Sequence, residues 1–422
     1  MSPSVSFPGR PLSRRAFLVA AAGGVVAVTI IGCESDQSGQ SGQSPIDGSV
    51  PDSTGASGSA GSGAGAARVL VIVELDGGND GLSALVPADG RYRDARPTLA
   101  VPESDVVALA GTTEVGLHPA LAPLVPLWTS GRMAAVRGIG FSDPDRSHFV
   151  SLDRWWRADQ GGTAPGWLSQ WLGTLPADAP PLVATSIGGR APLLAGSDRL
   201  PTTVIDSSAF AFTTPALGDG VARLASPLAD DPLVAAAQTA MARSVDAVRA
   251  FAGLKSAAAD QIDPADPITA GLALAAQVVA GATGPTVVVV SSGGFDTHAG
   301  QAATHQRLYA DLAKGVSGFF STADTQGFAD RVLMVTTSEF GRRVVENGSA
   351  GTDHGAGGVS FAFGPSVAPG VHGAIDLGDL LDGDVRPVVD PRVLYTASLD
   401  WLGADVEAAL GQRYDDVALL RS

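Results

Sequence analysis

The 422-residue chain holds one cysteine, Cys33, so no intrachain disulfide and no multi-cysteine metal site can form. Positive charge is scarce. Lys and Arg number 27 against 43 Asp and Glu, a formal net charge of −16. That balance excludes a nucleic-acid binder that works by neutralising phosphates. No apolar run approaches the 20 residues or so that an ordinary membrane-spanning helix needs. What is present is an apolar fraction of 45%, normal for a globular protein, which excludes wholesale disorder.

The first 33 residues read as an address. They carry Arg10, Arg14 and Arg15 and no acid before Glu34. Ser13-Arg14-Arg15-Ala16-Phe17-Leu18 is a twin-arginine pattern, and the apolar stretch from Val19 to Ile31 suits a signal peptide. Ile30-Ile31-Gly32-Cys33 then looks like a bacterial lipobox, with Cys33 as the lipidation site. The expected partners of this segment are the twin-arginine translocase, the lipoprotein-processing machinery and, through the lipid, a membrane. The expected location is the cell envelope, or outside the cell if the protein is shed. Residues 34–67 are dominated by Ser, Gly, Asp, Gln and Ala, which bury too little apolar surface to order themselves, so they read as a tether.

From Arg68 the texture changes. Val69–Leu75 is a nearly continuous β-branched run, as a strand covered on both faces requires. Similar runs cover 182–187, 286–290, 331–336 and 359–363, and helical spacing covers 231–254, 268–280 and 305–320. Alternating strands and helices predict an α/β domain over 68–422 with a mostly parallel central sheet flanked by helices.

The polar residues follow the strands. Leu75 leads into Asp76-Gly77-Gly78-Asn79-Asp80, Val290 leads toward Asp296-Thr297-His298, and Val335 leads toward Glu339 and Arg342. A later loop holds Asp353-His354. Open α/β sheets bind ligands at the carboxyl ends of their strands. The candidate metal ligands are therefore Asp76, Asp296, His298, Glu339, Asp353 and His354. Mixed carboxylate and imidazole sets suit Zn, Mn, Mg or Fe, with one or two ions. Asn79, Asp80 and Arg342 are candidates for contacting substrate. Ser147 precedes a predicted helix running through Trp156, where the dipole and free N–H groups favour an anion. Ser147 is the candidate nucleophile, Arg146 its anion-holding neighbour, and His148 a third candidate catalytic residue. Taken singly, each has a plainer reading: a turn at Asp76, a helix cap at Ser147, a core position at His148. His118, His305 and His372 read as structural or surface residues.

These pieces, in this order, resemble an exported bacterial family catalogued as domain of unknown function 1501, within the alkaline phosphatase and sulfatase superfamily. The pieces are Leu75–Gly81, Arg146–Phe149, Gly293–His298, Ser338–Arg342 and Gly351–Gly355. The resemblance implies an alkaline phosphatase-like three-layer sandwich. It also implies Asp76 as a metal ligand, Asp296, His298 and His354 as ligands of a first metal, Glu339 as the acid of a second, and Ser147 as nucleophile. Zn is the first expectation, with Mn, Mg, Ca or Fe as alternatives. One position departs: the superfamily commonly has Asp-His where this chain has Glu339-Phe340, which removes an imidazole. Ser142-Asp143-Pro144-Asp145-Arg146 also matches, by spacing, the serine form of a sulfatase motif.

The resulting expectation is a metal-dependent hydrolase of phosphate or sulfate esters, acting on an anionic small molecule or polymer. The alternative is a non-catalytic metal-containing module that captures anionic glycans or cell-wall polymer. A third reading is a structural lipoprotein whose acids bind Ca²⁺.

Overall fold

The computed structural model describes residues 67–421, apart from 177, 198, 205–210, 213, 227–228 and 258–264. The twin-arginine segment, Cys33 and the tether lie outside the described residues. The sheet is built from eight strands: β1 (Val69–Leu75), β2 (Met133–Ile139), β3 (Ala184–Ile187), β4 (Thr202–Val204), β5 (Thr286–Ser292), β6 (Val332–Thr337), β7 (Gly358–Phe363) and β8 (Gly370–Gly373). Their spatial order is β8-β2-β7-β6-β1-β5-β3-β4. Only β7 runs against the others, antiparallel to both β2 and β6. The predicted mostly parallel sheet is thus present, with β1 in its middle, paired on both sides.

Residues of β1 alternate between two cores. Val69, Val71, Val73 and Leu75 face a core that includes Leu272 of α3 (Pro267–Ala280) and Val316 and Phe319 of α4 (Gln301–Gln326). Leu70 and Ile72 face the other core, with Trp155 of α1 (His148–Trp156), Trp167, Trp171, and Leu394 and Leu399 of α5 (Arg392–Leu402). A strand with apolar layers on both sides has no use for a polar face, which explains the continuous apolar run. A further long helix, α2 (Pro232–Ala257), packs beside α3.

Register sets the level of the site. Leu75 pairs with Ser292 and Glu74 with Thr337, so β1, β5 and β6 release their chains at one edge. The strand Met133–Ile139 was not predicted. Helix α4 is longer than its predicted core of 305–320; it is bounded by Gly300 and Gly327, both in the left-handed region.

Beneath the edge lies a buried polar network. Asp80 and Arg96 are both fully buried and joined by two hydrogen bonds of 2.5 and 3.1 Å. Asp80 also accepts from Ser83 at 2.8 Å and from Gln301 at 2.5 Å. Gln301 accepts in turn from Thr297 and Thr352, and Thr297 reaches His305 at 2.9 Å. Tyr309 donates to Asn79 and to the Asp80 carbonyl. The guanidinium of Arg96 and the hydrogen bonds around Asp80 hold that carboxyl at about 2 despite its burial.

Two predictions follow from these buried charges and rings. Arg96→Met leaves Asp80 as an uncompensated buried charge and should destabilise the protein by about 3–5 kcal/mol, read by urea unfolding. Burial lowers His118 and His305 to about 4. An unfolded histidine takes its proton near pH 6.5, so the unfolded chain binds more protons between about 6.5 and 4. The stability from keeping these rings neutral is whole above that window and is lost as pH falls through it. Thermal midpoints measured from pH 7.5 down to 4.5 should drop in this interval, and His305→Gln should flatten the drop.

Candidate active site

Three strand-end loops meet through their backbones. The Asp76 N–H donates to the Ser292 carbonyl at 2.9 Å, and the Phe295 N–H donates back to the Asp76 carbonyl at 3.2 Å. The Gly77 N–H donates to Glu339 Oε1 at 2.9 Å. Gly77 has φ +117°, and a Cβ there would lie 2.4 Å from the Asp296 nitrogen. Gly351 is equally confined, since its Cβ would meet the His298 carbonyl carbon at 2.2 Å. The glycines beside the acids therefore exist because two chains pass where no side chain fits.

Asp296 is the centre of the site. Its Oδ1 lies 3.0 Å from His298 Nε2, 3.1 Å from His354 Nε2 and 2.7 Å from Arg342 Nη2. Its Oδ2 lies 3.5 Å from His148 Nε2. Burial raises its carboxyl, but the Arg342 guanidinium beside it prevails and holds it low, at about 2. The nitrogens of His298 and His354 are themselves 3.0 Å apart. Among the described residues, donor atoms of His148, Asp296 and His354 come within 4.8 Å of one another. An all-nitrogen-and-oxygen donor set of this size, with His148 Nε2 buried and unpartnered, fits one divalent cation.

The other expected ligands surround this group. Asp353 sits on His298, with Oδ1 3.1 Å from Nδ1. Glu339 is buried and its Oε1 is 2.7 Å from His148 Nδ1. Asp76 shares a narrow crevice with Glu74, Trp155, Trp156, Ser338 and Glu339. Burial first, then the charges of Glu74 and Glu339, raises the Asp76 carboxyl to about 7. A cation beside three clustered acids would reverse that shift.

Ser147 occupies the cap position of α1, yet its hydroxyl makes no capping bond; Asp145 instead accepts from the Ser147 N–H at 2.6 Å. The loop is clipped to the cluster, because His354 Nδ1 reaches the Arg146 carbonyl at 2.7 Å. The Arg146 guanidinium is held by Asp384, at 2.5 Å from Nη2 and 2.9 Å from Nε, with the side chain 41% exposed.

Asn79, Asp80 and Arg342, read as contacts to substrate, are all buried. The Asn79 Oδ1 accepts from Tyr309 while its backbone N–H donates to Ser338, and Asp80 is paired with Arg96. Arg342 donates to the carbonyls of Gly77, Gly78, Phe295 and Thr352 and to Asp296. Through these bonds they tie the strand-end loops together. Sequence reading also missed Glu74, the one acid inside the apolar run of β1, which accepts from Ser291 at 2.6 Å and from the Trp156 indole at 3.0 Å. That lone acid was the available signal.

Residues 225–416 match the model of a family described as protein of unknown function (DUF1501). It is the family the motifs resemble, and the matched stretch takes in Asp296, His298, Glu339, Asp353 and His354. No curated protein matches the chain. Solved structures similar to it include a protein in the alkaline phosphatase superfamily from Vibrio parahaemolyticus, at 10% identity over 85% of this chain and 71% of that one, TM-score 0.39. A phosphonate monoester hydrolase from Silicibacter pomeroyi is 10% identical over 83% and 78%, TM-score 0.36. An alkaline phosphatase from the Antarctic bacterium TAB5 is 11% identical over 72% and 94%, TM-score 0.32.

Gly77→Ala tests the close passage of the loops. It should cost at least about 2 kcal/mol, from the positive φ and the clash with Asp296, and appear as a lowered thermal midpoint.

Proposed function

We propose that the chain is a metal-dependent hydrolase of phosphate or sulfate esters. The observation that carries this reading is the convergence of His148, His298 and His354 on Asp296, with the Ser147 loop clipped to that cluster. Asp296, His298 and His354 would hold the cation, with His148, Asp76 and Glu339 close by. A divalent cation bound there would polarise an ester oxygen and offset charge that develops on it.

The chain's own groups supply the rest. Ser147 presents a hydroxyl free of helix capping at the positive end of a nine-residue helix, where an anion is favoured. In this reading its oxygen attacks the phosphorus or sulfur and gives up its proton to solvent, the ester's alcohol leaves, and water then cleaves the serine ester to restore Ser147. Arg146 keeps one face of its guanidinium toward solvent and steadies the ester's oxygens, while Asp384 fixes its direction. Asp76 shares its crevice with Glu339, where a bound cation would keep its carboxyl ionised.

Export by the twin-arginine route and lipid attachment at Cys33 belong to the same proposal and rest on the residue pattern of the first 33 positions. An anionic ester or polymer outside the cytoplasm is then the substrate class.

The test uses the full chain, stripped with a chelator and reloaded separately with Zn²⁺, Mn²⁺ or Mg²⁺. It is assayed on nitrophenyl phosphate, phosphate diester, phosphonate and sulfate. At least one ester should turn over only with metal, and both Asp296→Asn and Ser147→Ala should lower kcat by about 10³-fold or more. Metal-dependent binding of inorganic phosphate or sulfate with no ester turned over would replace this reading with capture of an anionic polymer. Full activity in both variants would refute the assignment of the site.

A further inference from the structure

The Ser147-His148-Phe149 step pairs a candidate nucleophile with a histidine, and the histidine is placed for a different task. His148 Nδ1 lies 2.7 Å from Glu339 Oε1. A carboxylate oxygen only accepts, and this one already receives the Gly77 N–H. The Nδ1 proton therefore points at Glu339, and a neutral ring so oriented carries its lone pair on Nε2. That Nε2 is buried, has no hydrogen-bond partner, and faces Asp296 Oδ2 at 3.5 Å.

The same reasoning applies to both neighbours. His354 Nδ1 is 2.7 Å from the Arg146 carbonyl, which only accepts, so its Nε2 also carries a lone pair. His298 Nδ1 is 3.1 Å from Asp353 Oδ1, which fixes its ring in the same sense. All three imidazoles thus turn an accepting nitrogen toward a carboxylate that also only accepts. Arg342 supplies a donor to Asp296 Oδ1 alone. Lone pairs facing one another at 3.0 to 3.5 Å repel until a proton or a metal cation sits among them, and a metal cation satisfies all of them at once.

We infer that His148 is a metal ligand through Nε2, completing a site with Asp296, His298 and His354, and that Glu339 stands behind His148 as the carboxylate that orients it. This deepens the metal-site reading above and rests on it. Metal-bound histidines commonly give their other N–H to such a carboxylate or carbonyl, which fixes the ring and raises its basicity. Phe340 is buried and packs its ring 4.9 Å from that of His148 and 4.7 Å from that of His354. The residue after Glu339 therefore braces the imidazoles, and an imidazole arrives instead from the start of α1. Three imidazoles and one carboxylate suit Zn²⁺, Fe²⁺ or Co²⁺ better than Mg²⁺ or Ca²⁺, which prefer oxygen.

The test is Co²⁺ and Zn²⁺ binding to the full chain, read by the Co²⁺ visible absorption bands and by competition with a chromophoric chelator. His148→Ala should weaken Zn²⁺ binding by at least about 100-fold and shift the Co²⁺ bands. Loss of a carboxylate that only orients costs about 10- to 100-fold in affinity. Glu339→Ala should therefore fall in that range with the Co²⁺ band positions kept, and Glu339→Gln, which still accepts from Nδ1, should recover most of the loss. His148→Gln serves if the alanine variant does not fold by circular dichroism. Wild-type binding with unchanged affinity and bands in the His148 variants overturns this inference and leaves the metal-site reading standing. Glu339→Ala that shifts the bands as His148→Ala does makes Glu339 a ligand and overturns its orienting role. No Zn²⁺ or Co²⁺ bound by the wild-type chain overturns both.

Discussion

The guanidinium of Arg342 is the interaction on which the site depends. It is buried, it cannot shed its charge, and each of its N–H groups must find an acceptor. The acceptors are main-chain carbonyls from the β1 loop, the β5 loop and the loop before β7, together with the Asp296 carboxylate. One cation thus ties three stretches of backbone to a common point. The close approach it enforces is why Gly77 and Gly351 stand where they do, and why Asp296 is presented ionised to three imidazoles.

Around this centre the charges fall into layers. Lowest is the Asp80–Arg96 pair with its neutral amide, hydroxyl and imidazole partners, a network satisfied within itself. Above it lie acids crowded beyond their needs: Glu74 and Asp76, both pushed up by burial and by like charge. Outermost are the histidines, each held by its Nδ1 from outside. The lower layer is stable as it stands, whereas the upper two carry a surplus of electron-rich atoms. Strain of this kind concentrates at functional sites.

Much of this was legible in the sequence, for reasons that can be stated. Strands β1, β5 and β6 announce themselves because both of their faces are covered, leaving nothing polar to interrupt the run. The acids at their ends stand out by contrast. Strand β2 was hidden by Ala134, Ala135, Arg137 and Gly138, small or charged residues that break the pattern; Arg137 is tolerated because it reaches out to Glu114. Asp80 and Arg342 looked like contacts for a ligand because a buried charge and an exposed one are written alike; the carbonyls that satisfy Arg342 leave no mark on the sequence. His148 could be named as a site residue, but its orientation depends on Glu339, 191 positions away.

The placement of β1 governs how the molecule comes together. This strand is made early, yet its partners are β5 and β6, with Val69 opposite Thr286 and Val332. Those pairings close loops of more than 200 residues, among the slowest contacts a chain can form. Residues 225–416, matched by the family model, hold β5 to β8 but lack the two strands that lie between them, β1 and β2. The matched stretch is half of an interleaved sheet and not a module of its own. A nascent chain would keep its first strand waiting until β6 is made, and only the seating of that strand would bring Asp76 beside Glu339. Assembly of the site and completion of the fold are, kinetically, one late event.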